Sequence, residues 1–266
     1  MRARALPSFL LLGLLAGCLS PPAEVPLPGD APVLPLDLAW GLTGCKAAVI
    51  AFSVPASAVA PHLPPGFRPM GIPEGAFGVS GTPSDGSFGM EMMECQSGTG
   101  LAGEVKGISY GSYFAFVEPP AELSRSNVTY QFYKWDVLVP DAARRDLLAE
   151  RGVPARNGTA SFSRFDRVGQ AIAFDGLLQL GNATHRFQGT AAAPDAPTGS
   201  FVEFTKVPRG VAVWSANYTW SEIVVGPALV DAGGAGLAAK ILGPGQHAGG
   251  GFVGVINFGP ASIALP

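Results

Sequence analysis

The residues whose types and spacing could do chemistry are few, and most of that chemistry would be done to the chain rather than by it. Four of the five asparagines, Asn127, Asn157, Asn182 and Asn217, stand in "NVT", "NGT", "NAT" and "NYT". With only ten threonines among 266 residues, accident would rarely supply that spacing four times; these are N-glycosylation acceptors, and a glycan belongs on a wet surface. Once Cys18 is set aside, Cys45 and Cys95 remain as an even pair. A disulfide between them would close a loop of about 50 residues and contribute about 3 to 4 kcal/mol, whereas two buried thiols are the other reading the spacing allows. His62, His185 and His247 are scattered without metal-ligand spacing and read as surface or loop residues. Glu91 and Glu94, three apart in a strand, face opposite ways and make no carboxylate pair. "GPGQHAGGGF" lacks the Lys-Ser/Thr pair of a phosphate loop and any helix after it, so it reads as a flexible loop. Nothing here calls for a cofactor or a metal.

The front of the chain is addressing. Two arginines in the first five residues precede an apolar run, Leu6 to Ala16, which is too short to span a bilayer and has the shape of a secretory signal. The run closes in "LLAGC", similar to the lipobox of lipoproteins, in which the cysteine accepts a lipid and becomes the first residue; ordinary cleavage leaving Cys18 as an incidental thiol is the other reading. "LSPPAEVPLPGDAPVLPLDL" follows, proline-rich and almost without aromatics, and reads as an extended tether with a reach on the order of 50 Å. The expected organisation is a signal over 1–17, a lipidated Cys18 and tether over 18–38, and one β-rich domain over 39–266.

Charged residues make up 14% of the chain, against about 25% in a typical soluble domain, so sugar rather than charge is expected to keep the surface wet. The net charge of -3 comes with no basic cluster, which leaves nucleic acid no footprint. No later run of 18 apolar residues is free of Lys, Asp or clustered glycine, so no spanning helix is expected.

The positioning elements read mostly as strands, among them "AVIAFSV", "GAFGVSG", "FGMEMMEC", "VKGISYGSYFAFV", "VTYQFYKWDVLV", "QAIAFDG", "THRFQGT", "SFVEFTKV" and "VAVWSANYTW". In the last, Trp214, Tyr218 and Trp220 alternate with Asn217, which points the asparagine at solvent. Asn182, after a glycine between two strand patterns, looks like a hairpin tip, and Asn157 lies in a turn. Asp141 caps a short helix anchored by Leu147 and Leu148 and stopped by Gly152. A second helix of about two turns fits "PASAVAPHL", with Pro64 forbidding continuation. The glycine-rich stretch 232–251 reads as loosely ordered.

A strand, a short helix and then "LPPGFRPM" resembles the opening segment of the acetoacetate decarboxylase-like superfamily. "YGSYFAFVEPP", "YKWDVLVPDAARRDLLAERGVPARNG" and "AIAFDG" follow in that family's order, so the resemblance covers about Lys46 to Val225. It implies a mainly β fold of the α+β kind, an antiparallel barrel or cone with a few short helices around a small apolar pocket. In the decarboxylases it also implies a Schiff-base lysine, whose pKa must be depressed for the amine to attack. That lysine follows a Gly-x-Pro turn, where this chain reads "GVPARNG" and Arg156 stands instead; a guanidinium stays protonated and forms no imine. The family's glutamate after Gly-Ser-Tyr is absent too, because Phe114 and Ala115 follow Tyr113.

The expectation is therefore a lipid-anchored glycoprotein on the extracytoplasmic face of the cell membrane, with a barrel that binds a small organic ligand or serves as a structural module. Tyr110, Tyr113, Lys106 and Lys134 are the candidate pocket residues. An exported lyase or hydrolase with a relocated catalytic group, Lys106 or Lys134, is the alternative. A lipobox together with N-glycans resembles archaeal surface proteins; a bacterial lipoprotein is the other origin. The membrane, through the lipid, and a small molecule are the expected partners.

Overall fold

Strands that are apolar on both faces must be covered twice, and that requirement shapes the architecture. The computed structural model describes residues 41–73, 76–78, 85–100, 103–126, 128–139, 141–194, 199–259 and 262–264. The signal, Cys18, the tether and Asn127 lie outside the described residues. The strands, in chain order, are β1 (Leu42–Val54), β2 (Arg68–Pro69), β3 (Gly86–Gly100), β4 (Gly103–Glu118), β5 (Tyr130–Leu138), β6 (Ala155–Arg156) and β7 (Gly158–Val168). They continue as β8 (Ala171–Leu180), β9 (Ala183–Ala191), β10 (Ala193–Pro194), β11 (Gly199–Val207), β12 (Gly210–Asp231), β13 (Gln246–Phe258) and β14 (Ser262–Ala264). Among the described residues there are also three short α-helices, α1 (Ala56–Val59), α2 (Ala142–Glu150) and α3 (Gly236–Leu242).

Seven strands close on themselves in the order β5, β4, β3, β1, β13, β12, β11, because β11 pairs β12 on one side and β5 on the other. The pairings around this ring are antiparallel except β11 with β5, which is parallel. β12, 22 residues long, is the branch point of this single sheet: its first half pairs β11, and its last residues also pair β9, from which β8 and β7 extend.

The β7–β9 extension covers the outer face of the barrel. Ala48, Ile50 and Phe52 of β1 join Met90, Met92, Phe174, Leu178 and Phe187 in this outer core. The alternate residues of β1, Cys45, Ala47 and Ala51, turn to the interior and pack with β12 and β13 side chains such as Trp214, Ile223 and Ile256. Cys45 and Cys95 are direct cross-strand partners in β1 and β3 and form a disulfide inside the barrel.

Local chemistry sets several boundaries. The Asp141 side chain accepts from the Arg144 N–H at 2.7 Å, and the chain leaves α2 through Gly152 at φ 78°, the left-handed geometry glycine supplies. α1 tightens into a 3-10 turn over Ala60–His62 and ends as Leu63 goes extended before Pro64.

Two expectations are corrected. "GAFGVSG" does not continue as a strand at Ala76–Gly78; these residues make a 3-10 turn in which Phe77 takes φ 62° and buries its ring 4.3 Å from that of Phe252. The stretch 232–251, expected to be loosely ordered, supplies α3 and the first half of β13, which pairs β1 and β12. Its glycines let three backbones approach closely: a Cβ on Gly251 would lie 2.6 Å from the Val49 carbonyl oxygen.

Candidate functional site

Three strands of the ring each send one charged side chain into the barrel where apolar residues would be expected. Glu91 projects from β3, Lys134 from β5 and Glu203 from β11, and all three are buried. Lys134 Nζ lies 2.5 Å from Glu91 Oε1 and 2.6 Å from Glu203 Oε1, and donates to Tyr110 Oη at 2.7 Å. An ammonium has three N–H donors, and each has a partner here. Ser112 Oγ donates to the same Glu91 oxygen at 2.5 Å, and Nζ also stands 5.1 Å from the centre of the Tyr110 ring.

The charges do not balance, since one ammonium stands between two carboxylates. Burial alone would pull Lys134 down, but the Glu203 and Glu91 carboxylates outweigh it and hold its pKa well above the usual lysine value. Burial pushes Glu203 up to about 7, helped by Glu91 and opposed by Lys134. Burial also raises the Tyr110 phenol well above its ordinary value, against the pull of Lys134. At neutral pH Lys134 is thus a clamped cation, while Glu203 exchanges its proton.

Beside this cluster is a cavity of about 60 Å³, lined by Glu91, Lys134 and Glu203 on one side and by aromatic rings, including Phe132, Tyr218 and Trp220, on the other. Phe77 also lines it, packed edge-on to Phe116 and against Phe252. A smaller space of about 20 Å³ shares Lys134, Glu203, Phe201 and Phe258 and reaches Tyr110 and Trp214.

The four pocket candidates from the sequence separate. Tyr110 and Lys134 meet inside the barrel. Lys106 is exposed near the start of β4, opposite Ser97. Tyr113 faces the outer core, where its hydroxyl is 2.6 Å from His185 Nε2. His185, expected at the surface, is fully buried on β9, and burial lowers its pKa. Its place follows from alternation, which puts it on the same face as Phe187. His62 and His247 are half-buried.

After the Gly152-Val153-Pro154 turn, Ala155 packs against the interior cluster while Arg156 points outward to Asp136 at 2.6 Å. Glu94 faces away from Glu91 and accepts from the Phe162 N–H at 2.9 Å. Among the described residues, no group of three or more His, Cys, Asp and Glu side chains could hold a metal ion, and no helix is long and apolar enough to cross a membrane.

Asn157 and Asn182 are exposed at neighbouring turns, joined by the Gly181 N–H donating to the Asn157 carbonyl at 2.9 Å. Asn182 forms the β8–β9 hairpin tip. Asn217 is only half-buried rather than open, because β12 is covered on both faces up to Ala216.

The convergence of Glu91, Lys134 and Glu203 was not anticipated from sequence. The available signal was a lone charge on an otherwise aromatic or apolar face, as in "FYKW" and "FVEF".

No family model and no curated protein matches the sequence. Solved structures do resemble the fold. The enduracididine biosynthesis enzyme MppR, solved with HEPES buffer bound, shares 15% identity and a TM-score of 0.52 over 85% of this chain and 86% of that one. An acetoacetate decarboxylase gives a TM-score of 0.54 at 12% identity over 85% and 88%. The acetoacetate decarboxylase of Legionella pneumophila gives 0.50 at 14% over 98% and 96%. The fold is therefore acetoacetate decarboxylase-like, mostly β with a few short helices.

Proposed function

We propose that this chain is a lipid-anchored cell-surface glycoprotein whose acetoacetate decarboxylase-like barrel binds a small organic ligand without covalent catalysis. The observation that carries the reading is the state of Lys134. A Schiff-base lysine must offer a neutral amine, and this ammonium is held by Glu91, Glu203 and Tyr110 with its pKa raised. The residues after the Gly-x-Pro turn, Ala155 and Arg156, bring no other amine to that position. The cavity beside the cluster gives a ligand its room. The lipobox at Cys18 and the four sequons support the surface assignment on sequence grounds, and exposed Asn157 and Asn182 suit a glycosylated face.

A second reading, an exported lyase or hydrolase, has one observation in its favour: Lys134 and two carboxylates are gathered inside the barrel. Borohydride treatment of the purified chain with acetoacetate or acetone, followed by intact mass spectrometry, separates the two. No adduct is expected, and a reduced adduct mapped to Lys134 would replace the binding reading with the lyase. Cys18→Ser is expected to release the protein from membranes into the medium, and retention after detergent-free washing would remove the anchor.

A further inference from the structure

The interior cavity has a chemical preference that follows from its walls. Two carboxylates and one ammonium line one side, so the ionised cluster carries an excess negative charge. The remaining walls are aromatic and aliphatic, among them Phe114, Tyr130, Phe132, Tyr218, Trp220 and Phe252. A carboxylate or phosphate ligand entering here would meet that negative charge in a low-dielectric interior, and Lys134, its only ammonium, already has three partners. A neutral ligand would leave the excess charge uncompensated. A cation would neutralise it among aromatic rings, whose quadrupoles attract positive charge at their faces.

We infer that the barrel interior binds a small alkylammonium ion, held by the Glu91 and Glu203 carboxylates and the surrounding aromatic rings. The inference deepens the ligand-binding reading above and rests on it. Size follows from the cavity of about 60 Å³, room for about four to six non-hydrogen atoms at roughly 10 to 15 Å³ for each water-sized unit. Methylammonium and trimethylammonium, with two and four such atoms, fit that limit, whereas choline, with seven, does not.

Charge also predicts how binding responds to pH. Glu203 is faced by Lys134 from β5, Glu91 from β3, Tyr110 from β4 and Tyr218 from β12; β1 and β13 add only apolar side chains such as Val49 and Phe252 to the cavity. Its carboxyl, pushed up to about 7 by burial, is mostly protonated at pH 6 and mostly ionised at pH 8.5. The ionised cluster is the binding form, so apparent affinity follows the ionised fraction.

Calorimetric titration of the full chain with trimethylammonium chloride, alongside acetone as a neutral ligand of the same size and acetate as an anion, tests this. Expected is saturable binding of trimethylammonium, about tenfold tighter at pH 8.5 than at pH 6, with acetone and acetate weaker by at least tenfold. Glu203→Gln leaves Lys134 and Glu91 balanced and is expected to abolish the pH dependence and weaken trimethylammonium binding at pH 8.5 at least tenfold. Tighter binding of acetone or acetate would overturn the cation inference while leaving a ligand-binding barrel. Absence of binding by all three would overturn both. Trimethylammonium binding that is indifferent to pH in the wild-type chain would overturn the role given to the carboxylates, even if the variant failed to fold.

Discussion

Lys134 and Glu203 meet at 2.6 Å across the parallel pairing of β5 with β11, the contact that closes the barrel. On the other side of Lys134, Glu91 reaches over from β3. The ion cluster therefore ties three strands together at the seam of the ring, and its charge balance bears on closure as well as on binding.

Removing the cation leaves two buried carboxylates facing each other with no counter-charge, whereas removing one carboxylate leaves a balanced pair. Lys134→Met is thus expected to destabilise the chain by about 3 to 5 kcal/mol, and Glu203→Gln by much less. Denaturant unfolding at pH 8 measures both, and equal losses would mean that the cluster does not act as a unit.

The raised carboxyl of Glu203 also sets a pH slope. Its folded pKa of about 7 exceeds the ordinary 4.5, so the folded state binds the extra proton between those values. Stability from this group is greatest below about pH 4.5, falls as pH rises, and is lost by about pH 7. The difference is on the order of 3 kcal/mol. Comparing wild type with Glu203→Gln across pH 5 to 8 isolates it, and the variant is expected to lack this component of the slope. Parallel curves would contradict it.

Glycan occupancy should follow exposure. Asn157 and Asn182 are open at adjoining turns, and Asn217 is half-buried on a strand opposite Ser200. Glycopeptide mass spectrometry of the native protein is expected to find Asn157 and Asn182 occupied more fully than Asn217, with Asn257, outside any sequon and accepting from the Gly44 N–H at 2.7 Å, bare. An occupied Asn217 beside bare Asn157 and Asn182 would reverse the exposure argument.

The sequence disclosed local features well, because their causes are local. Strand-like segments marked β4 and the start of β8, Asp141 marked the start of α2, Pro64 the end of the short helical segment, and Gly181-Asn182 a hairpin tip. The Lys134 cluster was hidden because its charged members come from strands 43 and more residues apart, and their meeting depends on the β11–β5 register, which no local pattern encodes. His185 was legible in principle, since alternation in "THRF" aligns it with Phe187. The glycine-rich stretch misled for a different reason: glycine weakens a strand on its own, and only the neighbouring backbones reveal why it is needed.

Gly254 makes that last point testable. It sits in β13 beside the irregular pairing between Trp220 and Glu222, and a Cβ there would lie 2.0 Å from the Glu222 carbonyl oxygen and 2.9 Å from the Ile223 Cα. Backbone atoms in a paired strand cannot step aside as a flexible side chain can, so the ladder itself must shift. Gly254→Ala is expected to cost about 3 kcal/mol or more. Gly234, exposed before α3, has nothing within 4 Å of the equivalent position, and Gly234→Ala is expected to change stability by no more than about 0.5 kcal/mol. Thermal and denaturant unfolding of the two variants decides the matter: if Gly254→Ala proves as mild as Gly234→Ala, the close approach of β13 and β12 is not what the glycine provides.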